Sequence, residues 1–154
     1  MTRALLLVDI QNDYFPGGAM EVVGADAASQ QAAALLSEFR RHASPVIHIQ
    51  HIAARPGATF FLPNTVGAEI HESVRPGLDE AVFRKHYPNS FRDTPLLEHL
   101  RATAVSELVI AGMMTHMCID TTVRAAADLQ FRCSLAHDAC ATRALSFEGA
   151  RVSA

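Results

Sequence analysis

Several features that mark particular classes of protein are scarce or missing in this sequence. It has no Trp, and its 13 Lys and Arg residues against 16 Asp and Glu give a formal net charge of −3. A nucleic-acid-binding surface needs a clustered excess of cations. The only adjacent cations here are the pairs Arg40-Arg41 and Arg84-Lys85. This charge pattern therefore argues against a nucleic-acid partner.

Long apolar runs and paired cysteines are missing as well. The apolar run Ala4–Val8 ends at Asp9, which makes it too short for a signal peptide, and no apolar stretch of about 18 residues follows. We therefore expect no membrane partner. The three cysteines, Cys118, Cys133 and Cys140, are odd in number, which argues against a disulfide framework and favours a reducing compartment. These absences predict a cytoplasmic protein.

Apolar runs and helical periodicities alternate along the chain, of which 49% is hydrophobic. Continuous apolar runs are typical of strands buried on both faces. The predicted strands are Ala4–Asp9, Pro45–Gln50, Ala81–Lys85, Glu107–Gly112 and Arg132–His137. The predicted helices are Ala25–His42, capped by Asp26, then Leu96–Thr103 and His116–Gln130. This alternation predicts an α/β fold with three α/β/α layers around a doubly wound, mostly parallel, Rossmann-like sheet.

The remaining segments lack a period. Arg55–Pro76 is predicted to be a long loop, which in a compact domain usually forms a functional wall or lid. Asp138–Thr142 is predicted to be a turn after the fifth strand. Only about a dozen residues follow it, with no capping element. We therefore expect residues 1–154 to form a single domain that lacks its C-terminal helix.

Three reactive side chains fall at the carboxyl ends of predicted strands. Asp9 follows the first strand, Lys85 ends the third, and Cys118 follows the fourth. Lys85 is also the only Lys in the chain. Because ligands bind at this edge of a parallel sheet, we expect the three side chains to converge there. Nucleophilic catalysis can use all three groups. The carboxylate can take a proton, the ammonium can stabilise charge, and the thiol lies near a helix start, where a thiolate is favoured.

Each of these residues also has a structural explanation. A buried Cys is commonly a small hydrophobe, an Asp after a strand commonly stabilises a turn, and a Lys is commonly a surface group. It is the convergence on one edge that favours function. The segment His137–Cys140 has similar residue types, but neighbours on a strand point to opposite faces. We therefore expect Cys133 and Cys140 to be structural.

Three ordered motifs resemble those of the isochorismatase-like cysteine hydrolase family. They are Asp-Ile-Gln-Asn-Asp-Tyr-Phe at 9–15, Arg-Lys-His-Tyr-Pro-Asn-Ser-Phe at 84–91 and Gly-Met-Met-Thr-His-Met-Cys at 112–118. The resemblance extends from Leu5 to about Thr142 and implies the isochorismatase-like hydrolase fold. The family includes nicotinamidases, N-carbamoylsarcosine amidases, ureidoacrylate and biuret hydrolases, and streptothricin hydrolases.

The resemblance implies a role for each matched residue. Asp9 would be the general base and acid, Lys85 would stabilise charge, and Cys118 would attack the carbonyl carbon. The backbone amides of Met114 and Cys118 would form the oxyanion hole, beside a cis peptide bond between Met113 and Met114.

Other residues are expected to form the substrate pocket. The matched positions Gln11, Phe15 and Thr115 would shape it. The loop Arg55–Pro76 and the turn His86–Phe91 would line it. The apolar side chains that these two segments offer are Phe60, Phe61, Leu62 and Phe91.

The metal cluster of nicotinamidases has no clear counterpart. Those enzymes carry Asp-x-His after the second strand, whereas this chain has Gln-His-Ile-Ala at 50–53, without a carboxylate. We therefore expect no metal and no cofactor, although His51 and His71 could still pair on a metal.

The sequence thus predicts a cysteine hydrolase that cleaves a C–N amide-type bond of a small organic molecule through a thioester. One alternative is a metal-assisted nicotinamidase or an isochorismatase-type hydrolase. The alternative outside enzymes is a catalytically silent ligand-binding module. By resemblance, the protein would be a homodimer or homotetramer.

Overall fold

The structure, a computed structural model, describes residues 2–154. The strands of this range are β1 (Thr2–Val8), β2 (Val46–His51), β3 (Ala81–Lys85), β4 (Val105–Met113), β5 (Arg132–Ala141), β6 (Leu145–Phe147) and β7 (Ala150–Val152). Its helices are α1 (Ala25–Arg41), α2 (Leu96–Ala102), a π-helical turn (Thr115–Ile119) and α3 (Asp120–Asp128). None of the helices in the described range has the length and apolar character that crossing a membrane requires.

The five long strands form one parallel sheet in the order β3-β2-β1-β4-β5. The chain builds outward from β1 to β3 and then returns to add β4 and β5 on the other side of β1. The order therefore reverses between β1 and β4. In open α/β sheets, ligands bind outside the carboxyl ends of the strands at such a reversal.

Strand β1 shows how the sheet is buried on both faces. Successive side chains of a strand point to opposite faces. Leu5 and Leu7 belong to the core that α1 covers, whereas Leu6 and Val8 belong to the core that α2 and α3 cover. All four are at most 2% exposed. The predicted three-layer α/β/α fold is confirmed.

Two local predictions were wrong. Helix α1 is capped by Gly24, whose φ of 76° lies in the left-handed region that glycine adopts readily, and not by Asp26. Asp26 lies in the first turn instead, where a negative charge favours the helix dipole. The predicted turn after the fifth strand is part of β5, because Cys140 pairs with Gly112 of β4 after a shift in register.

The segment after β5 forms a β-hairpin that was not predicted. Strands β6 and β7 pair antiparallel, with Phe147 opposite Ala150. The two residues between them, Glu148 and Gly149, have φ values of 48° and 82°. Two consecutive left-handed residues are what a type I′ hairpin turn requires.

Segment 55–76 contains no strand or α-helix among the described residues, in agreement with the predicted loop, and has only two short 3₁₀ turns. Its anchor is Phe61, which is buried. The Phe61 N–H donates a hydrogen bond of 2.6 Å to Asp13, whose other carboxylate oxygen accepts one of 3.1 Å from the Ala19 N–H. The carboxylate thus holds the loop against the segment that follows β1.

Strands β1 and β4 approach each other closely at their carboxyl ends. Gly112 has a φ of 138°, and a Cβ atom placed on it would lie 1.9 Å from the backbone oxygen of Val8. Only glycine fits such a contact. The next residues on the two strands are Asp9 and Met113, so this contact immediately precedes the edge where the reactive residues lie.

Candidate active site

The structure brings Asp9, Lys85 and Cys118 together at the carboxyl edge of the sheet. Asp9 follows β1 with a φ of 53°, a left-handed conformation that Asp adopts more readily than most residues. Lys85 is the last residue of β3, and Cys118 lies in the π-helical turn after β4. The side chains of Asp9 and Lys85 are fully buried, and Cys118 is 5% exposed.

The ammonium of Lys85 is the centre of the cluster. Its Nζ lies 2.7 Å from Asp9 Oδ2, 3.0 Å from His51 Nδ1, 3.0 Å from the Tyr87 carbonyl oxygen and 3.2 Å from Cys118 Sγ. An ammonium has three hydrogens, which match the hydrogen bonds to His51, Tyr87 and Cys118, while Asp9 is held as an ion pair. Burial lowers the pKa of Lys85, but the charge of Asp9 and the contact with Cys118 outweigh burial and raise it. Lys85 is therefore charged in the resting protein.

His51 is a neutral member of the cluster. Because an ammonium only donates hydrogen bonds, Nδ1 of His51 must accept from Lys85, which leaves the proton on Nε2. Burial lowers the pKa of His51 to about 4, against the opposing effect of Asp9. His51 pairs with Lys85 in the β2–β3 register. His51 directly follows the second predicted strand, and this position, which by itself suggests only a metal ligand, is the sequence signal for its place in the cluster.

Cys118 is a thiol at rest. Burial is the largest effect on its pKa and the charge of Asp9 is the next; both raise it, while Lys85 opposes them. The thiolate expected from the nearby helix start is therefore not the resting form. Neither carboxylate oxygen of Asp9 accepts a well-directed hydrogen bond from residues 2–154, and its closest contact is the ion pair with Lys85. A buried carboxylate with so few hydrogen bonds can accept a proton.

A metal ion does not fit this cluster. Asp9, His51 and Cys118 each offer one ligand atom, and these atoms lie within 4.8 Å of one another. Lys85 Nζ lies within 3.2 Å of an atom of all three and so occupies the position of a cation. The other predicted candidate, His71, is engaged elsewhere, because its Nδ1 bonds with Ser73.

Beside Cys118 lies a cavity of about 330 Å³. Four aromatic rings line it, those of Tyr14, Phe60, Phe61 and Tyr87. Polar groups on its wall are His51, Arg55 and His86, and the sulfur-containing residues there are Met114, Met117 and Cys118. The long loop and the turn after β3 therefore both line the cavity, as predicted.

The individual pocket residues differ from the prediction. Phe60 and Phe61 line the cavity, but Leu62 and Phe91 do not. Leu62 is 39% exposed to solvent. Phe91 packs instead with its ring 6.1 Å from that of Phe131 in the core under α2 and α3.

The matched positions Gln11, Phe15 and Thr115 also lie outside the cavity lining. Gln11 is fully buried, and its amide bonds with the backbone N–H and carbonyl of His51 and with the Ala68 carbonyl, at 2.7 to 2.9 Å. Phe15 stacks on the ring of His71, with 3.6 Å between centroids. Thr115 begins the π-helical turn. Gln11 thus supports the wall from behind.

Tyr14, which sequence reasoning missed, lines the cavity where Phe15 was expected. Its ring lies 4.6 Å from that of Phe61. Burial raises the pKa of Tyr14 most, and the charge of Asp9 raises it further, so the phenol keeps its proton. No pattern in the sequence says which of two adjacent aromatic rings faces the cavity.

The backbone between β4 and Cys118 offers donors to the cavity. The peptide bond between Met113 and Met114 is cis, the geometry that the resemblance implies. Met114 and Cys118 both line the cavity. The Met114 N–H has no hydrogen-bond acceptor within residues 2–154. A free amide beside a nucleophile can stabilise an oxyanion.

Comparison with known proteins gives a consistent result. A family model described as the isochorismatase domain matches residues 3–151. The isochorismatase family protein YddQ of Bacillus subtilis, described as uncharacterized, is 54% identical over 96% of this chain and 82% of its own length. A streptothricin hydrolase of Streptomyces noursei is 40% identical over 91% of this chain, which spans only half of that relative.

Solved structures agree. That of an isochorismatase hydrolase from Oleispira antarctica is similar with a TM-score of 0.95 at 51% identity, covering 99% of this chain and 82% of the other. That of N-carbamoylsarcosine amidase from Thermoplasma acidophilum is similar with a TM-score of 0.87 at 25% identity, covering 93% and 86%.

Proposed function

Because this chain belongs to the isochorismatase family, whose members are hydrolases, we propose that it cleaves a C–N amide-type bond with Cys118 as nucleophile. One observation carries the proposal. A buried ammonium lies 2.7 Å from a buried carboxylate and 3.2 Å from a buried thiol, and the carboxylate oxygen and the sulfur lie within 4.8 Å of each other at the wall of a cavity with aromatic sides. The amidase among its structural relatives supports the choice of a C–N bond. The predicted silent binding module has no support in a family of hydrolases.

Asp9 moves the proton in the proposed reaction. The proton leaves Cys118 for the Asp9 carboxylate as Sγ bonds to the amide carbon, because the raised pKa of the thiol makes transfer during attack more favourable than a free thiolate. The resulting oxyanion collapses, the C–N bond breaks, and Asp9 returns the proton to the leaving nitrogen. A thioester remains.

Water completes the cycle. The water oxygen bonds to the thioester carbon while Asp9 takes a proton from the same water molecule. The C–S bond then breaks, the carboxylic product leaves, and the proton returns to Sγ. Each step uses the same carboxylate in alternating roles.

Lys85 and the backbone amides stabilise the charges that appear. Lys85 can stabilise negative charge on Asp9 or on Cys118, since both lie within 3.2 Å of its Nζ. We assign the oxyanion hole to the amides of Met114 and Cys118. Donors that are already in place need no reorganisation during the reaction, which makes them effective.

A panel of amides tests the proposal. Nicotinamide, N-carbamoylsarcosine, ureidoacrylate and biuret would be assayed for ammonia release, and a streptothricin-like lactam by mass spectrometry. Cys118→Ala should lower turnover at least about 1,000-fold, since nothing else in the cluster can form the acyl bond. Cys140→Ala, a second cysteine outside the cluster, should keep it.

Acid quenching during turnover should reveal an adduct on Cys118 with the mass of the acyl group. Equal turnover in wild type and Cys118→Ala would contradict the proposal. The homodimer or homotetramer and the cytoplasmic location stay predictions. Light scattering of the purified protein tests the first, and fluorescence imaging of a tagged copy in its own cell tests the second.

A further inference from the structure

One guanidinium on the cavity wall has no partner. Arg55 lines the cavity and is exposed to solvent, and within residues 2–154 its guanidinium makes no hydrogen bond or ion pair. Four other arginines, by contrast, are held in ion pairs. Arg3, Arg40, Arg41 and Arg124 each contact a carboxylate at 2.9 Å or less. Arg55 therefore offers its five N–H donors to whatever occupies the cavity.

The charge around the cavity favours an anion. Among the described residues that line it there is no Asp or Glu. The nearby charge of Asp9 is balanced by Lys85, 2.7 Å away. The positive charge of Arg55 is therefore not compensated on the wall. A cleft with low-dielectric sides strengthens the attraction of such a charge for an anionic ligand. The neutral His51 adds another donor, since its Nε2 carries the proton.

The aromatic walls favour a flat ligand, and the nearby guanidinium groups disfavour a cationic one. The rings of Tyr14, Phe60 and Phe61 lie 4.6 to 6.1 Å apart, centroid to centroid. Aromatic rings can also attract a cation. The ring of Tyr87, however, already has the guanidinium of Arg92 at 3.5 Å from its centroid, and Arg55 would repel a cationic ligand.

We infer that the substrate is the amide of a planar molecule that also bears a carboxylate, with the carboxylate bound by Arg55 and the amide carbon facing Cys118. The inference rests on the proposed amide hydrolysis and adds the substrate class. Arg55 is then a specificity-determining residue. Its planar fork can bind both carboxylate oxygens at once, which a Lys cannot do.

Three ring amides that differ in charge test this inference. They are benzamide, which is neutral, 3-carbamoylbenzoate, which is anionic, and 3-(aminomethyl)benzamide, which is cationic. We expect kcat/KM to be about 10- to 100-fold higher for the anion than for benzamide, the range expected for a charged pair of hydrogen bonds. Arg55→Ala should remove this advantage through KM, so that the ratio of kcat/KM for 3-carbamoylbenzoate to kcat/KM for benzamide falls to about one. Arg55→Lys should keep part of it.

Arg84→Ala is the matched control. Arg84 bonds to Gln50 and does not line the cavity, so its loss should leave the charge preference intact. Equal kcat/KM for the three amides, a preference for the cation, or an unchanged preference in Arg55→Ala would overturn the inference.

Binding separates this inference from the reaction itself. Calorimetry with isophthalate, the product of 3-carbamoylbenzoate, needs no turnover. Wild type should bind isophthalate, and Arg55→Ala should weaken binding about 10- to 100-fold while Arg84→Ala does not. If no amide is hydrolysed yet isophthalate binding depends on Arg55, the proposed reaction fails and the anion site stands. If isophthalate does not bind, or binds equally to Arg55→Ala, the anion site fails.

Discussion

Two clusters of the same composition, a carboxylate, a cation and a histidine, share strand β2. The Asp9 cluster consists of Asp9, Lys85 and His51, and the Glu80 cluster of Glu80, Arg40 and His48. Their histidines are three residues apart on the strand. Only the Asp9 cluster borders the nucleophile and the cavity.

The difference between the clusters lies in how many hydrogen bonds each carboxylate accepts. Glu80 accepts bonds of 2.6 and 2.8 Å from Arg40, one of 2.7 Å from the Gly77 N–H and one of 2.8 Å from His48. These bonds, led by that of Arg40, lower the pKa of Glu80 to about 2. Asp9 has an ion pair but no well-directed hydrogen bond within residues 2–154. The four hydrogen bonds keep Glu80 ionised at neutral pH, whereas both oxygens of Asp9 lack such bonds and the carboxylate lies beside the thiol.

The sharpest test of this comparison removes each carboxylate charge in turn. Asp9→Asn should lower kcat about 100- to 10,000-fold, the range for loss of a general acid–base group. Glu80→Gln should leave kcat nearly unchanged, because Glu80 is not at the cavity. Both would be measured on the best amide of the panel, with circular dichroism to verify folding. A loss in Glu80→Gln as large as in Asp9→Asn would remove the distinction.

The next test replaces the Lys of the Asp9 cluster by Arg and the Arg of the Glu80 cluster by Lys. Lys85→Arg should lower kcat at least about 100-fold, because four acceptors within 3.2 Å leave no room for a guanidinium. Arg40→Lys should keep turnover and lose about 1 kcal/mol of unfolding free energy, since a Lys cannot form the fork. Steady-state kinetics and urea unfolding of both variants give the answer. Normal turnover in Lys85→Arg would take Lys85 out of the mechanism.

Removing the cations tests the claim that Lys85 fills a metal position. Lys85→Ala leaves three ligand atoms within 4.8 Å, and we expect it to bind about one equivalent of Zn²⁺. Arg40→Ala leaves only the Glu80 and His48 ligands in its cluster and should bind none there. Calorimetry on both variants and on wild type checks this. Equal uptake by wild type would show that Lys85 does not exclude the ion.

The smallest expected effect is the pH dependence of stability from Glu80. Its pKa is about 2 in the folded protein against an ordinary 4.5, so the unfolded chain binds the proton more readily. The stabilisation of about 1 to 3 kcal/mol is therefore complete above pH 4.5 and disappears as the pH falls towards 2. The unfolding free energies of wild type and Glu80→Gln, measured with urea, should differ by this amount at pH 7, and the difference should shrink from pH 4.5 down to about pH 2. A constant difference would contradict the assignment.

The sequence was enough to predict the sheet and the three reactive residues, because both depend on strand positions alone. Apolar runs locate parallel strands, and their carboxyl ends meet at one edge. The Glu80 cluster was not predictable in this way. Arg40 and Glu80 lie 40 residues apart and meet only because α1 packs beside the chain that leads into β3.

The pocket residues were less predictable because they depend on turn geometry. After Asp9 the chain turns with a positive φ and then forms a 3₁₀ turn at Asn12–Tyr14. This path puts Tyr14 in the cavity wall and turns Gln11 towards the backbone of His51. Motif matching names the segment but does not say which of its side chains faces the substrate.

The close approach of β1 and β4 at Gly112 has a consequence for how this protein tolerates change. Any side chain there would meet the Val8 carbonyl and move Asp9 away from the turn that carries Cys118. A saturation-mutagenesis library selected for amide hydrolysis should therefore score position 112 as intolerant as the nucleophile itself, although glycine brings no chemistry to the reaction. The positions found essential in such a library would then include Gly112, which contributes only by having no side chain.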